Sequence, residues 1–158
     1  MSDFPHLTGA GEVHMVDVGG KQETERSATA EAVVAMSAQV AARLFTGDLP
    51  KGDALASVRL AGIMGAKRTP DLVPLCHPIA LTGVTVDVEP HAAGARITAT
   101  TSTVGRTGVE MEAMTAVAAA SLALYDMVKG LDRSVAVESL RLLEKRGGRS
   151  GHWVRQGS

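Results

Sequence analysis

TGVTVDVEPHAAGARITATTSTV, residues 82–104, is the stretch that decides the fold. Apolar and polar residues alternate from Thr82 to Glu89, break at His91 to Gly94, and alternate again from Arg96 to Val104. Period-two alternation on both sides of a Gly-containing break predicts a β-hairpin with a turn of several residues. Upstream, Pro70, Pro74 and Pro78 prevent one regular element. Before them, Ala54 to Lys67 has a helical pattern with Asp53 placed as N-cap. Ser37 to Phe45 reads as a short helix that ends before Thr46-Gly47. Thr24 to Ala35 alternates through Ala28, Ala30, Ala32 and Val34, which is strand periodicity. Downstream, Glu110 to Leu131 is the longest helical pattern, and Val135 to Leu143 is a last strand. Apart from the helix at 37–45, the order is strand, helix, strand, strand, helix, strand. That order predicts an α+β fold of the ferredoxin-like βαββαβ kind. Residues 1–14 are then an added flexible N-terminal arm, 15–151 a single domain, and 152–158 a flexible C-terminal tail.

Composition bounds what such a domain can do. At 158 residues the chain is the size of one domain, and 45% of it is hydrophobic. Aromatic residues make up only 3%, so Ala, Val, Leu and Met must fill the core. Small side chains bury less area per residue, which favours oligomerisation. The net charge of −1 argues against a nucleic-acid partner, which selects basic domains. An anionic small molecule would need cations gathered locally. Cys76 is the sole cysteine, so no internal disulfide forms. The N-terminus shows no basic region followed by an apolar run, and no apolar run approaches the roughly 20 residues that span a bilayer. The expected location is the cytoplasm, with no membrane partner.

Asp126 and Lys129 lie three apart in a helical pattern and share a face. On the surface such a pair contributes under about 1 kcal/mol. Their apolar surroundings, Ser121 to Met127, suggest partial burial, which would tune both groups for proton transfer. Lys51, Lys67, Lys145 and Arg26 form a candidate cation set for phosphates. Lys51 adjoins a predicted helix start, where free N–H groups attract anions. Lys145 precedes Gly147-Gly148-Arg149-Ser150-Gly151, a loop whose N–H groups can wrap phosphates. Cys76-His77-Pro78 reads better as a structural or substrate-contacting segment than as a thiol–imidazole pair. The other His residues show no ligand spacing around it, so no metal site is expected. Glu110 and Glu112 open the long helix, where they either serve its dipole or meet the N–H edge of a guanine-like ring.

Six blocks carry a resemblance. They are MVDVGGK (15–21), KGDALASVRLAGIMGAKRT (51–69), PLCHPIAL (74–81), GRTGVEMEAMTAV (105–117), LYDMVK (124–129) and EKRGGRSG (144–151). In order and spacing they resemble the molybdenum-cofactor biosynthesis protein C family, the cyclic pyranopterin monophosphate synthases. The resemblance implies a catalytic ferredoxin-like domain assembled as a homohexamer, a trimer of dimers. It implies a lyase that converts a cyclised dihydro-GTP to cyclic pyranopterin monophosphate and pyrophosphate. No cofactor is required, and Mg²⁺ is compatible with the triphosphate. Asp126 matches the family's catalytic aspartate, with Lys129 beside it. Leu75, Cys76, His77, Met111 and Glu112 match substrate-binding positions. Asp17, Arg26, Lys51, Lys67 and Lys145 match polar residues lining the family pocket. The alternatives are a non-catalytic nucleotide-binding regulatory domain of the same fold and an inactive paralogue.

One spacing bears on assembly. Glu112 and Asp126 are fourteen residues apart on one predicted helix, roughly 21 Å at about 1.5 Å per residue. If both meet one ligand, the site is built from two chains, with small residues such as Ala116, Ala118, Ala119 and Ala120 allowing close helix contact.

Overall fold

The computed structural model describes residues 6–157. In chain order the elements are β1 (Thr24–Ala35), α1 (Ala38–Thr46), α2 (Ala54–Lys67), α3 (Thr69–Leu72), β2 (Leu81–His91), β3 (Gly94–Gly105), α4 (Glu110–Val128), β4 (Ala136–Arg146) and β5 (Trp153–Val154). The sheet runs β2-β3-β1-β4-β5, antiparallel at every pair. Its first four strands have the ferredoxin-like order, and β5 is an addition. β1 and α2 have the expected bounds.

The differences have local causes. The hairpin is tighter than expected, with only Ala92 and Ala93 outside the strands. Gly94 makes this feasible, because at φ 146° it passes so close to β1 that a Cβ would meet Val34 O at 2.6 Å. α4 stops at Val128 rather than Leu131: Lys129 N–H donates to Tyr125 O, and then Leu131 N–H turns back to Val128 O. The strand at the C-terminal end continues to Arg146, past Leu143. Within 152–158, expected as a loose tail, Trp153 and Val154 pair with Lys145 and Glu144 to form β5. In the N-terminal arm Leu7 bridges Val13, while residues 1–5 lie outside the described residues.

The core lies between one sheet face and the pair α2 and α4. β1 contributes Ala28, Ala30, Ala32 and Val34, β3 contributes Ala95, Ile97 and Ala99, and α4 contributes Ala113, Ala116, Val117, Ala120 and Leu124. Burying Leu124 or Ile97 contributes about 1.5–3 kcal/mol, and each alanine less. The small residues instead let the layers approach. A Cβ on Gly62 would meet Val86 Cγ2 at 2.9 Å, and one on Gly65 would meet Ala119 Cβ at 2.5 Å. These contacts and the Lys51–Asp126 pair set α2 antiparallel to α4.

α4 spans 19 residues, with a mean hydropathy of 1.3 over its most apolar window. That is long and apolar enough to cross a bilayer by length and composition, contrary to the sequence expectation. Half of that window is spent on packing within the fold. The other sheet face is polar. There Glu31, 4% exposed, is held by Arg141 at 2.7 Å and by Arg96 at 3.5 Å.

Candidate active site

Because α2 and α4 are antiparallel, their ends define two groups of polar residues. At one end stands Asp126. Its Oδ1 is 2.7 Å from Lys129 Nζ, and its Oδ2 is 2.7 Å from Lys51 Nζ, which also donates to the Asp126 carbonyl. Hydrogen bonds from Lys129 and then Lys51 hold the Asp126 carboxyl down at about 2. Asp126 in turn raises Lys129 above its ordinary value. Near neutral pH the aspartate is therefore ionised and Lys129 protonated. The partial burial expected for this pair does not occur within one chain, where the Asp126 and Lys129 side chains are 54% and 48% exposed. Nor does Lys51 share its position with free helix N–H groups. α2 begins at Ala54, and Asp53 already caps it by accepting from Ala56 N–H at 3.0 Å.

At the other end of α4 lies a cavity of about 450 Å³ lined by Leu75, Cys76, His77, Met111 and Glu112, together with Val16, Lys21 and Glu110. Backbone geometry explains the convergence. The Pro-punctuated loop after α3 brings 75–77 beside the first turn of α4, and His77 Nε2–H donates to Val16 O at 2.8 Å. Glu112 is 2% exposed, and its Oε1 has no hydrogen-bond partner among the described residues. Burial pushes its carboxyl up to about 7, against a hydrogen bond from its own backbone N–H and with a further push from Glu110. Burial, then the charge of Glu112, likewise raises the Cys76 thiol. Helix capping does not describe Glu112: the cap residue is Val109, and the Glu112 side chain is buried against the first cavity. A buried carboxyl poised near neutrality, aimed at a cavity, suits recognition of N–H donors or proton transfer.

A second cavity, of about 650 Å³, adjoins the first and shares Lys21, Thr107 and Gly108 with it. Arg26, Arg106 and Arg149 also line it. Arg26 Nε–H donates to Gly105 O at 3.0 Å, which fixes the guanidinium without neutralising it.

The cation set expected from sequence is thus divided within one chain. Lys51 belongs to the Asp126 end. Lys67 is exposed at the opposite end of α2, on the Glu112 side. Arg26 stands in the second cavity. Lys145 turns inward to Ser150 Oγ and Gly147 O, bracing its own loop. Asp17 accepts from Gly19 N–H at 2.7 Å, closing a turn beside the first cavity. Lys21 and Arg106 were overlooked by sequence reasoning as site residues. The available signal was their position inside two of the six blocks, at the end of MVDVGGK and the start of GRTGVEMEAMTAV. Among the described residues no three His, Cys, Asp or Glu side chains converge as a metal site.

The MoaC family model matches residues 15–148. The chain is 53% identical over 153 residues to the cyclic pyranopterin monophosphate synthase of Corynebacterium efficiens, covering 97% of this chain and 99% of that protein. It is 55% identical over 156 residues to the protein of the same name from Roseiflexus castenholzii, covering 98% and 99%. Against cyclic pyranopterin monophosphate synthase 2 of Mycobacterium bovis the figures are 52% over 154 residues, 98% and 92%. With the family match extending from the MVDVGGK block to the glycines after Lys145, and more than half of the aligned residues shared with proteins matched over nearly their whole length, this chain belongs to the MoaC family.

Proposed function

We propose that this chain is a cyclic pyranopterin monophosphate synthase, a lyase of molybdenum-cofactor biosynthesis. The substrate is a cyclised dihydro-GTP (3′,8-cyclo-7,8-dihydroguanosine triphosphate), and the products are cyclic pyranopterin monophosphate and pyrophosphate. The observation that supports this reading is the coincidence of a family match over residues 15–148 with an Asp126 that bridges Lys51 and Lys129.

The residues divide the work. Formation of the cyclic phosphate joins a hydroxyl oxygen to the α-phosphorus and breaks the α–β bridging P–O bond. The bond's electron pair leaves with pyrophosphate, and the hydroxyl proton passes to a base. Asp126 holds Lys51 and Lys129 with their ammonium groups converging, where they stabilise the charge that develops on phosphate oxygens. Lys129 can also return a proton as the ring rearranges. Leu75, Cys76, His77 and Met111 flank the ring system, and Glu112 meets its N–H edge. The protein needs no resident cofactor, and Mg²⁺ is compatible with the triphosphate.

The two ends of α4 meet one ligand only if two chains share the site. One stripe of α4 links them, exposed at Met111, Leu122 and Lys129 and half-buried at Met114 and Ala118 between them, with Asp126 at its edge. An antiparallel packing of this stripe on its copy places Glu112 of one chain beside Asp126 of the other. Lys51 and Lys67, at opposite ends of α2, converge in the same way. The assembly is a hexamer, a trimer of such dimers, working in the cytoplasm. The test is incubation with freshly made cyclised dihydro-GTP. Appearance of the pterin product with one pyrophosphate per turnover supports the reading, and an unchanged substrate refutes it.

A further inference from the structure

Part of the first cavity is built from residues that precede the family match, which begins at Met15. His6 lines that cavity and is exposed, whereas Glu112, lining the same cavity, is 2% exposed. His6 therefore stands at the mouth and Glu112 in the depth.

The backbone holds His6 in that place. Residues 6–14 fold back on themselves as a short hairpin. His14 N–H donates to His6 O at 3.0 Å, Leu7 bridges Val13, and Thr8 N–H donates to Glu12 O at 2.8 Å. Thr8 Oγ1 accepts from Glu12 N–H at 3.1 Å. Gly11, at φ 82°, closes the turn by donating its N–H to Thr8 O at 2.8 Å. That φ favours glycine over residues that carry a Cβ. The chain then runs to Val16, whose carbonyl accepts from His77 on the cavity wall. The hairpin is thus tied at its base to the residues it overhangs.

The donors available in the cavity give His6 its role. Glu112 Oε1, buried and without a partner among the described residues, is an acceptor for ring N–H groups. In a guanine-like ring the atom beside those N–H groups is a keto oxygen, which costs affinity if it is buried without a donor. His77 has committed its Nε2–H to Val16 O, which leaves Nδ1 of the neutral ring as an acceptor. The Cys76 thiol is a weak donor. Lys21 and Thr107 also line the second cavity. Of the described side chains that line the first cavity and not the second, His6 is the remaining strong donor. We infer that His6 is a specificity-determining residue: from the mouth of the cavity its imidazole N–H donates to the keto oxygen of the substrate's ring, beside the N–H groups taken by Glu112. This rests on the proposed synthase activity and names what selects a keto ring over an amino one.

The test titrates the full chain calorimetrically with two probes. One is GTP, which carries the keto edge, and the other is 2,6-diaminopurine riboside triphosphate, in which an amino group replaces the keto oxygen. Wild-type protein is expected to bind GTP more tightly. His6→Ala should lose about 5-fold in GTP affinity, the scale of one hydrogen bond, and nothing for the analogue. His6→Gln, which keeps an N–H donor, should recover part of the loss. Gly11→Val acts from a distance: a Cβ there meets nothing within 4 Å, but a β-branched residue disfavours φ 82° and releases the hairpin. It should reproduce the His6→Ala loss. Both positions are exposed, so thermal melting should stay at the wild-type value. Unchanged GTP affinity in His6→Ala overturns the inference. Equal losses for GTP and the analogue, which a merely structural arm would give, also overturn it. Turnover of cyclised dihydro-GTP is measured separately. If wild-type protein turns over while His6→Ala keeps the full preference for GTP, the role of His6 is wrong and the activity stands. If the preference depends on His6 but wild-type protein never turns over, the role of His6 stands and the activity is wrong.

Discussion

Replacing Glu112 by Gln should make the protein more stable, and the gain should depend on pH. The carboxyl sits 2% exposed with Oε1 unpartnered, and its pKa rises from 4.5 to about 7 on folding. A raised acid pKa means that the folded chain favours the neutral form. Between those two values the folded state binds more protons than the unfolded state, so stability falls as pH rises through the window. The full separation corresponds to about 3 kcal/mol at about 1.36 kcal/mol per pKa unit. Most of it, about 2.5 kcal/mol, is lost between pH 5 and pH 8. Gln fills the same volume without titrating. Asp126 does not confuse the result: its pKa is lowered, so its contribution is lost only as pH falls from 3.8 toward about 2. The assay is urea unfolding of both proteins at pH 5 and pH 8, at one protein concentration because assembly adds to apparent stability. Glu112→Gln should gain about 2.5 kcal/mol relative to wild type between the two pH values. Equal differences at both pH values would show that Glu112 is not held neutral by burial.

Asp126→Asn should keep the melting temperature near that of wild type and lower turnover by about 10²-fold or more, measured as pterin formed per chain. Inactive Glu112→Ala and Asp126→Ala chains, unfolded together and reassembled, should regain part of the wild-type activity. A mixture shown by mass to contain both chains yet still inactive would count against the shared site. Lys51→Ala and Lys67→Ala should weaken GTP binding more than guanosine binding, and equal losses for the two ligands would remove the lysines from phosphate contact. Gly65→Ala should destabilise by about 1–3 kcal/mol in urea titration, because its Cβ would press on Ala119 and Thr115 where backbone cannot yield.

The long strands could be read from sequence because apolar residues alternate along them, as Ala28, Ala30, Ala32 and Val34 do in β1. The same logic fails where pattern and hydrogen bonding part company. Leu131 continues the apolar spacing of α4, yet the helix has already turned at Lys129. Two residues, Trp153 and Val154, are too few to show any period, so β5 was invisible. At the site, i,i+3 spacing was enough to join Asp126 to Lys129. Lys51 lies 75 residues away in sequence from Asp126, and only the antiparallel run of α2 brings it in. Burial of Glu112 could not be seen either, because a helix-opening glutamate looks the same whether it faces solvent or is buried against a cavity. Arg106 and Arg149 converge from separate loops, and no local pattern announces that.

β5 changes what the loop before it is. Arg155 N–H and Nε–H donate to Leu143 O at 2.8 Å and Leu142 O at 2.6 Å, so the chain is stitched back onto β4 beyond the glycines. The segment that carries Arg149 and Ser150 is then a closed hairpin turn and not a free end. Much of its conformational entropy is lost on folding, before any anion arrives. Without the β4–β5 pairing the same loop would keep that entropy in the folded chain. Residues 153–155 thus act as a preorganising clasp for the loop that carries Arg149 and Ser150.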